Sequence, residues 1–389
     1  MAIDAMNANW NYPTAIRFGA GRIKELPQAC RALAMNNPLL VTDPGIAELP
    51  MIRDALASCR AEGLGCGLFS GVQANPVGAN VDAGVSVFRQ EKHDGVIAFG
   101  GGSALDAGKA IALMAGQDRP LWDFEDREDW YTRVDVAGMA PVVAIPTTSG
   151  TGSEVGRASV ITDEQNHTKK IIFHPNMLPG LVLADPELTL GLPRNITAWV
   201  GMDALSHNLE AWSSPFHHPM AHGISIEGMK LIRRWLPRAV ADGSDLEARA
   251  KMMVASTMGA TAFQKGLGAM HALSHPCGAV HNTQHGLTNA VVMPYVLVAN
   301  RSAIESQLPA LCCYLGIEDA SFAGFLDWVL ALRQELDIPH TLADIGIDTG
   351  DVDQLAPMAE TDPSMGTNPI ILNAASCAEL YRDAIAGVI

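Results

Sequence analysis

The sequence has little of what several classes of protein require. Of its 389 residues, 26 are Lys or Arg and 42 are Asp or Glu, so the formal net charge is −16. This acidic balance argues against a nucleic-acid-binding protein, which needs a basic surface, and against docking on anionic lipid. No stretch of about eighteen apolar residues occurs, so no transmembrane helix is expected. The sequence also has no repeat of fixed period and no low-complexity segment.

Paired cysteines are missing as well. The seven cysteines are Cys30, Cys59, Cys66, Cys277, Cys312, Cys313 and Cys377. An odd number without a CxxC pair argues against a disulfide framework, and the first residues show no pattern of a signal peptide. We therefore expect a protein of the reducing cytoplasm. The composition, 48% hydrophobic and 17% charged, is that of a globular chain, and the length suffices for two domains.

Short apolar runs alternate with helical patterns in the first half of the chain. Four runs are bounded by Gly, Pro or Asp, at 38–43, 95–99, 141–146 and 181–185. Nearly continuous apolar runs of this length are typical of strands that are buried on both faces. Helical periodicity occurs between them, near 45–62, 77–92 and 103–115. This alternation predicts an α/β domain with a mostly parallel sheet.

The pattern changes near residue 190. From there the chain consists of successive helical segments rich in Ala, Met and Leu, with few β-like runs. Pro186 and Pro193 mark the change, since proline interrupts regular structure. We therefore predict two domains, an α/β domain over residues 1–190 and an all-α domain over residues 191–389.

Three consecutive glycines follow the run 95–99 and precede a helical pattern. Glycine lets backbone N–H groups approach a phosphate closely, and a helix N-terminus favours negative charge, so this loop predicts an anion site. The predicted site comprises Gly100, Gly101, Gly102 and Ser103, with Asp106 and Lys109 in the first turns of the helix. The loop matches neither GxGxxG nor the P-loop pattern, and a tight turn with close helix packing is the alternative interpretation.

A second polar segment follows the run 141–146. It contains Thr147, Thr148, Ser149 and Thr151. Ligands of open α/β sheets bind at the carboxyl ends of parallel strands, so this segment and the glycine loop together indicate a dinucleotide, although a capped loop is the other interpretation. Asp43 ends the run 38–43. A carboxylate there can accept hydrogen bonds from a ribose diol and would repel a 2′-phosphate, which favours NAD over NADP. A turn residue at the end of the strand is the alternative interpretation of Asp43.

Acidic and imidazole side chains recur at helical spacing in the second half. Asp203 and His207 are four residues apart, His271 and His275 are also four apart, and His285 follows. Residues four apart share a helix face, and one carboxylate with several neutral imidazoles suits a divalent transition metal. Spacing alone does not choose among His271, His275, His281 and His285 as ligands.

A metal site of this composition predicts chemistry at an oxygen atom. Three neutral imidazoles and one carboxylate leave a bound divalent cation with a net charge of about +1. That charge favours an alkoxide over an alcohol, as oxidation by hydride loss requires. A second histidine cluster, His217, His218 and His222, lies among Pro and Ser and is interpreted as loop or surface.

Four motifs resemble those of the iron-containing, group III alcohol dehydrogenases. They are GGGSALDAGKA at 100–110, PTTSGTGSE at 146–154, GMDALSHNLEAW after LPGLVLADPELTLGLP, and HALSHPCGAVHNTQHG at 271–286. The resemblance extends from FGAG at 18–21 to about residue 300. It implies a dehydroquinate-synthase-like architecture, in which an NAD-binding α/β domain precedes a helical domain that binds metal and substrate. It also implies a homo-oligomer, a dimer or larger.

The resemblance further implies roles for individual residues. The positions that match the family's metal ligands are Asp203, His207, His271 and His285. His275 matches a histidine near the nicotinamide that is associated with proton transfer or substrate placement. The pyrophosphate loop matches Gly100, Gly101, Gly102 and Ser103, and the nicotinamide side matches Thr147, Thr148 and Ser149. Asp43 matches a position linked to NAD preference, Asn75 a ribose-side asparagine and Lys169 a lysine near the cofactor. Fe²⁺ is favoured by the resemblance, and Zn²⁺ competes for such ligands on affinity grounds.

Together these observations predict an NAD(H)-dependent alcohol dehydrogenase. Hydride would pass between the carbinol carbon of a small alcohol and nicotinamide C4, with His275 helping to move the hydroxyl proton. Two rival interpretations are a reductase of an acidic carbonyl, of maleylacetate or semialdehyde type, and a catalytically silent nucleotide-binding scaffold. A third rival, a dehydroquinate-synthase-like lyase, needs a basic pocket for a phosphorylated acid. The helical half offers only a modest basic cluster, Lys230, Arg233 and Arg234.

Overall fold

The computed structural model describes residues 8–10 and 14–389, and the chain divides into two compact units. The first unit comprises the described residues up to Thr148 together with Gly152–Gly191. The second comprises Leu192–Ile389 and the short segment Ser149–Thr151, which packs with the helices. Between Gly191 and Leu192 the chain leaves the first unit for the last time.

The first unit is built on a mostly parallel sheet. The strands of the described chain are β1 (Ala8–Trp10), β2 (Ile16–Phe18), β3 (Pro38–Val41), β4 (Gly67–Phe69), β5 (Gly95–Gly100), β6 (Val142–Pro146), β7 (Ala158–Asp163), β8 (Thr168–Phe173) and β9 (Leu181–Ala184). Seven of them form one sheet in the order β1-β2-β9-β6-β5-β3-β4, in which only the β1–β2 pair is antiparallel. The α/β class predicted from the sequence is therefore confirmed.

The central strands are apolar along their whole length because helices cover both faces of the sheet. Every residue of β3, β5, β6 and β9 is buried. The helices of this unit are α1 (Leu26–Ala32), α2 (Pro50–Ala61), α3 (Gly78–Gln90) and α4 (Gly102–Met114). The helix α4 is itself buried from Ala104 to Met114, apart from Asp106, so it lies within the unit and its N-terminus begins directly after β5.

The remaining two strands, β7 and β8, form an antiparallel hairpin that the sequence analysis did not predict. Alternate residues of β7 are buried, and most of β8 is only partly buried. Such strands carry polar side chains on one face, so they lack the continuous apolar run by which β3, β5, β6 and β9 were predicted. Lys169, one of the predicted cofactor residues, lies on β8 of this hairpin.

The second unit is helical, as predicted. Its α-helices are α5 (Arg194–Ser213), α6 (Pro219–Ala241), α7 (Leu246–Ala262), α8 (Ala269–His281), α9 (His285–Ile304), α10 (Leu308–Leu315), α11 (Phe322–Glu335), α12 (Val352–Glu360) and α13 (Ala374–Ala386). No strand falls among the described residues of this unit. The helices α5 and α9 are buried along most of their length, so the polar side chains that they carry must find partners inside the protein.

Two general features of the chain complete the description. All seven cysteines are free thiols, and six of them are buried. Over the part of the chain that the structure describes, none of the helices combines the length and the apolar character that crossing a bilayer requires.

Candidate functional site

Three of the sequence-predicted metal ligands meet in the interior of the second unit. Asp203 and His207 lie one turn apart on α5, and His271 lies near the start of α8. One ligand atom of each lies within 4.8 Å of the others, and all three residues are buried. Among the described residues this is the one group of at least three His, Cys, Asp or Glu side chains close enough to share a metal ion.

The fourth predicted ligand, His285, reaches the same place from α9. Its Nε2 lies 3.6 Å from Asp203 Oδ1, and His271 Nε2 lies 3.9 Å from the same oxygen. The start of α9 packs closely on α5: a Cβ on Gly286 would lie 2.4 Å from Trp199 O and 2.9 Å from Asp203 Cβ. Only glycine fits at this contact, which explains why His285 is followed by Gly286.

The Nδ1 atoms of these three histidines are all engaged on the side away from the cluster. His207 Nδ1 lies 3.2 Å from the carbonyl of Gly150, and His271 Nδ1 lies 2.5 Å from Glu210 Oε2. His285 Nδ1 lies 3.2 Å from Ser274 Oγ, whose hydroxyl hydrogen is donated to the His271 carbonyl. Each partner therefore accepts an Nδ1–H bond, so in the neutral ring Nε2 carries the lone pair that a metal needs.

Glu210 is a site residue that the sequence analysis missed. Its Oε1 accepts a hydrogen bond of 2.6 Å from the Met270 backbone N–H, and its Oε2 accepts from His271. Glu210 is 3% exposed, so it can act only through these partners. Its position three residues after His207 on the same helix was the available signal, since that spacing continues the face that carries Asp203 and His207.

Asn289 is a second missed residue, one turn after His285 on α9. Its Nδ2 donates to Asp203 Oδ1 at 2.9 Å and lies 3.4 Å from His271 Nε2 and 3.2 Å from His285 Nε2. Its buried Oδ1 has no hydrogen-bond partner among the described residues. The amide nitrogen of Asn289 therefore lies close to the proposed ligand atoms of Asp203, His271 and His285.

Burial and the neighbouring carboxylates give His207 and His271 different proton affinities. Burial lowers the pKa of His207 to about 4, and the nearby Asp203 carboxylate offsets only part of that shift. Burial also lowers the pKa of His271, but the charge and hydrogen bond of Glu210 outweigh it, so that the pKa lies above its usual value. His207 is thus neutral at neutral pH, and the surroundings of His271 favour a positive charge there, from a proton or from a cation.

His275 lies beside the cluster rather than in it. Its ring stacks on that of His285, with centroids 5.2 Å apart and planes 13° from parallel. Its Nδ1 lies 2.8 Å from Asp362 Oδ2. Burial raises the pKa of Asp362, but the charge and hydrogen bond of His275 outweigh burial and hold that pKa below its usual value. The sequence analysis missed Asp362, because no local pattern links it to a residue 87 positions earlier.

The other histidines are placed elsewhere. His281, at the end of α8, pairs with Asp351 at 3.0 Å. His218 accepts a hydrogen bond from the Ala221 N–H and so caps α6, and His222 stacks on Trp212. Of the four histidines between which spacing could not choose, the structure places His271 and His285 around Asp203, with His275 alongside.

The glycine loop of the first unit connects β5 to α4. Gly100 has a φ of +153°, a conformation that residues with a side chain rarely adopt, and a Cβ there would lie 2.7 Å from the Ala104 Cβ. The chain then enters α4 at Gly102, with Ser103 in the first turn. The first N–H groups of a helix have no intrahelical acceptor, so this turn offers donors to an anion.

Asp43 and Thr147 lie at the same edge of the sheet as this loop. Asp43 Oδ2 lies 3.5 Å from the point where a Cβ on Gly100 would stand, and Asp43 Oδ1 accepts a hydrogen bond from the Gly45 N–H. Thr147 N–H donates to the Gly100 carbonyl at 2.9 Å, and Thr148 lies against Gly101. The neighbouring strand ends thus bring Asp43, Thr147 and Thr148 beside the glycine loop.

Asp106 and Lys109 connect α4 to the chain around β7. Asp106 accepts from the Ser153 hydroxyl at 2.5 Å and from the Val160 N–H at 2.9 Å. Lys109 is 1% exposed, and its Nζ contacts the carbonyls of Ser153 and Ala158 as well as Asp106 Oδ1. Burial lowers the pKa of Lys109 below its usual value, and the nearby Asp106 carboxylate offsets only part of that shift. The ammonium group is therefore held by interior partners, which suits support of the loop rather than direct contact with a phosphate.

The remaining predicted cofactor residues fall into two places. Lys169 Nζ donates to Asn75 Oδ1 at 2.9 Å, so the hairpin residue and the loop residue form a pair. Asn75 has a φ of +51°, a conformation that asparagine tolerates better than most residues. Ser149 and Thr151 pack with the second unit, and the buried Ser149 Oγ has no hydrogen-bond partner among the described residues.

Comparison with known proteins gives the same family over both units. Residues 13–186 match the family described as iron-containing alcohol dehydrogenase, and residues 197–385 match its C-terminal domain. The 4-hydroxybutyrate dehydrogenase of Cupriavidus necator is 36% identical over 383 residues, covering 95% of this chain and 97% of that protein. The NAD-dependent methanol dehydrogenase of Bacillus methanolicus is 33% identical over 384 residues, covering 97% of this chain and 100% of that protein.

A solved structure agrees with these matches. The crystal structure of a 1,3-propanediol oxidoreductase superposes with a TM-score of 0.90 at 33% identity, covering 95% of this chain and 97% of that one. The resemblance inferred from the four motifs is thereby confirmed, and the chain belongs to the iron-containing alcohol dehydrogenase family.

Proposed function

We propose that this protein is a metal-dependent, NAD(H)-linked alcohol dehydrogenase that interconverts a small alcohol and its aldehyde. Membership of the iron-containing alcohol dehydrogenase family supports this class of reaction. The single observation that carries the proposal is the convergence of Asp203 with imidazoles whose Nδ1 atoms are all engaged elsewhere. A silent scaffold would have no use for such an arrangement, because burying a carboxylate among imidazoles costs free energy.

The proposed metal ligands are Asp203, His207, His271 and His285. Fe²⁺ is the first choice because of the family's description, and Zn²⁺ accepts the same nitrogen and oxygen ligands. A divalent cation bound by these groups supplies a Lewis acid that polarises the substrate oxygen. The side chains contribute preorganisation, since a partner of Nδ1 holds each ring in place.

The proposed NAD-binding residues lie mainly in the first unit. The glycine loop and the first turn of α4 would hold the pyrophosphate, Asp43 the adenosine ribose, and the Asn75–Lys169 pair a second polar contact on the cofactor. Asp106 and Lys109 would support the loop from within. Thr147, Thr148, Ser149 and Thr151 would serve the nicotinamide side, and the unpartnered Ser149 hydroxyl fits a ligand-facing role. NAD⁺, when bound, accepts the hydride from the carbinol carbon.

His275 is the proposed proton acceptor for the substrate hydroxyl. Its Nδ1 faces the Asp362 carboxylate, so in the neutral ring Nε2 carries the lone pair and can take a proton. The stacking of His275 on His285 places this ring next to a proposed ligand. In alcohol oxidation His275 would accept the proton of the substrate hydroxyl, and in aldehyde reduction it would return a proton to the substrate oxygen.

The test is a substrate panel read by NADH absorbance at 340 nm. Purified protein would be assayed with NAD⁺ and a series of small alcohols, then after chelation, and again after Fe²⁺ or Zn²⁺ is restored under anaerobic conditions. We expect turnover that disappears on chelation and returns with metal. Absence of turnover on every alcohol and every corresponding aldehyde would refute the proposal.

A second candidate function is reduction of a semialdehyde that carries a carboxylate. The observation that favours it is the 36% identity to 4-hydroxybutyrate dehydrogenase over nearly the whole chain. The two candidate functions are separated by including in the panel pairs of alcohols that differ in a carboxylate, such as butanol and 4-hydroxybutyrate. A kcat/KM at least about tenfold higher for the acid would correspond to about 1.4 kcal/mol of recognition of the carboxylate and would favour this candidate.

We also propose that the protein works in the cytoplasm as a homo-oligomer. The seven free cysteines, six of them buried, suit a reducing compartment. Light scattering during gel filtration tests the assembly: a mass near 41.3 kDa would identify a monomer and contradict this part of the proposal.

A further inference from the structure

Two buried carboxylates hold His271 and His275 of α8, and each does so with the same pair of contacts. Glu210 accepts from the backbone N–H of Met270 and from His271 Nδ1, at 2.6 and 2.5 Å. Asp362 accepts from the backbone N–H of Ser364 and from His275 Nδ1, both at 2.8 Å. In each carboxylate one oxygen is thus fixed by the backbone and the other by an imidazole.

From this repeated geometry we propose that Glu210 and Asp362 are positioning residues with different functions. Glu210 turns His271 Nε2 to the metal, and Asp362 turns His275 Nε2 to the substrate proton. The inference rests on the proposed function, because it assumes that His271 is a ligand and that His275 is not.

The placement of each histidine supports this division. His271 Nε2 lies 3.9 Å from Asp203 Oδ1 and belongs to the group that can share a metal. His275, one turn later, lies outside that group, and its ring lies against the rings of His271 and His285. The two carboxylates therefore act on neighbouring side chains of one helix, but only one of them acts on a metal ligand.

The two carboxylates come from different parts of the second unit. Glu210 belongs to α5, the helix that also carries Asp203 and His207, so the ligands and this support share one rigid element. Asp362 precedes a 3-10 helix over Pro363–Thr367.

The end of that segment is fastened to the chain before α8 and to α9. Thr367 Oγ1 donates to the Leu267 carbonyl at 2.6 Å, and Asn368 Oδ1 accepts from the Ala269 N–H at 3.1 Å. Asn368 and Asn300 exchange two further hydrogen bonds, of 3.0 and 2.9 Å. Both carboxylates are therefore held on supports that are themselves fixed, as the orientation of an imidazole requires.

Only a carboxylate satisfies these contacts, which makes the amide a sharp test. A carboxylate offers two acceptors, whereas an amide offers one acceptor and one donor. In Glu210→Gln the NH₂ group must face either the Met270 N–H or His271 Nδ1. Facing Nδ1, it would favour the tautomer whose Nε2 carries the proton and cannot bind a metal. In Asp362→Asn the NH₂ group must likewise face either the Ser364 N–H or His275 Nδ1. Facing Nδ1, it would favour the tautomer whose Nε2 already carries a proton and cannot accept another.

The experiment compares the two amide variants in one metal titration. Wild type, Glu210→Gln and Asp362→Asn would be stripped with a chelator and titrated with Co²⁺, whose visible absorption reports coordination. Steady-state kcat and KM would then be measured at saturating Co²⁺. Glu227→Gln, which changes a partly exposed carboxylate that accepts a hydrogen bond from Tyr314, is the matched control. Thermal unfolding would check that each variant is folded.

We expect the two variants to fail in different ways. Glu210→Gln should raise the Co²⁺ dissociation constant by about 10–100-fold, and excess Co²⁺ should restore most of its turnover. Asp362→Asn should keep the Co²⁺ dissociation constant within about twofold and lose about 10–100-fold in kcat, with no rescue by metal. If an amide variant does not fold, Glu210→Asp or Asp362→Glu replaces it, and each is expected to show a smaller change of the same kind.

Two results would overturn the inference. One is a Co²⁺ dissociation constant in Glu210→Gln, or in its Asp replacement, equal to that of wild type. The other is the same loss of metal affinity in both variants. Wild type that takes up no Co²⁺ would instead refute the proposed function and this inference with it, so the two failures are distinguishable.

Discussion

The glycine loop of the first unit depends on backbone conformation, whereas the histidine cluster of the second unit depends on side chains. At the loop, Gly100 contributes backbone in a conformation closed to most residues, and the nearby charged Lys109 is engaged by interior carbonyls. At the cluster, side chains provide every proposed ligand, and each ring is held by a further residue. The loop is therefore sensitive to the addition of atoms, whereas the cluster is sensitive to their removal.

Replacing His271 with Ala should give the largest effect, because it removes a proposed ligand and leaves Glu210 with an unused acceptor. We expect metal occupancy to be lost and kcat/KM to fall at least about a thousandfold, since polarisation of the substrate oxygen by a metal is worth several kcal/mol. NAD binding by the first unit should change little. Metal analysis, turnover and NAD titration by fluorescence measure the three quantities.

The matched control for that variant is His281→Ala on the same helix, where the histidine pairs with Asp351 at the far end. It should keep its metal. Full metal content in His271→Ala would show that the ligand assignment is wrong, and equal loss in both variants would point to damage of α8 as a whole.

Removing the metal should loosen the second unit selectively. A ligand present at a thousand times its dissociation constant stabilises the native state by about 4 kcal/mol. We expect chelation to speed amide hydrogen exchange in α5, α8 and α9, which carry the proposed ligands, and to leave β5 and β6 unchanged. Hydrogen exchange followed by mass spectrometry resolves the helices separately. Equal acceleration in the strands would contradict the assignment of the metal to the helical unit.

Adding one methyl group to the loop should have an intermediate effect. Gly100→Ala places a Cβ 2.7 Å from that of Ala104, in a backbone conformation unsuited to alanine, and we expect it to cost about 2 kcal/mol in stability. The loop should move, so the dissociation constant for NAD⁺ should rise while metal content stays full. Gly191→Ala is the control, since a Cβ there meets no atom within 4 Å. Unchanged NAD⁺ binding in Gly100→Ala would remove the loop from the proposed cofactor site.

The contrast between backbone and side chains also explains what the sequence could predict. The strands β3, β5, β6 and β9 were found because burial on both faces makes a strand apolar throughout. The hairpin of β7 and β8 was missed because it is only half buried. Asp203 and His207 were found because helical spacing and metal preference are both local properties of a sequence.

The tertiary contacts of the supporting residues could not be predicted in that way. Glu210, Asn289 and Asp362 act through contacts with residues 61, 86 and 87 positions away, and such contacts exist only after the helices have packed. The burial of Lys109 could not be predicted either. A lysine early in a helix is usually exposed or bound to a phosphate, and only the folded structure shows the carbonyls around it. Residue type and spacing thus predict which groups do the chemistry, whereas tertiary packing determines how they are held.

The smallest expected effect concerns Asp43, whose carboxylate lies beside the loop. Its Oδ2 lies close to Gly100, where a ribose beside the pyrophosphate would meet it and where a 2′-phosphate would be repelled. Asp43→Ser removes this charge, and we expect the preference for NAD over NADP in kcat/KM to fall by about tenfold, or about 1.4 kcal/mol. Asp82→Ser removes the same charge from an exposed position on α3 and should leave the preference unchanged, which separates local repulsion from the net charge of the protein. Equal preference in wild type and Asp43→Ser would mean that the loop discriminates between the cofactors by its backbone alone.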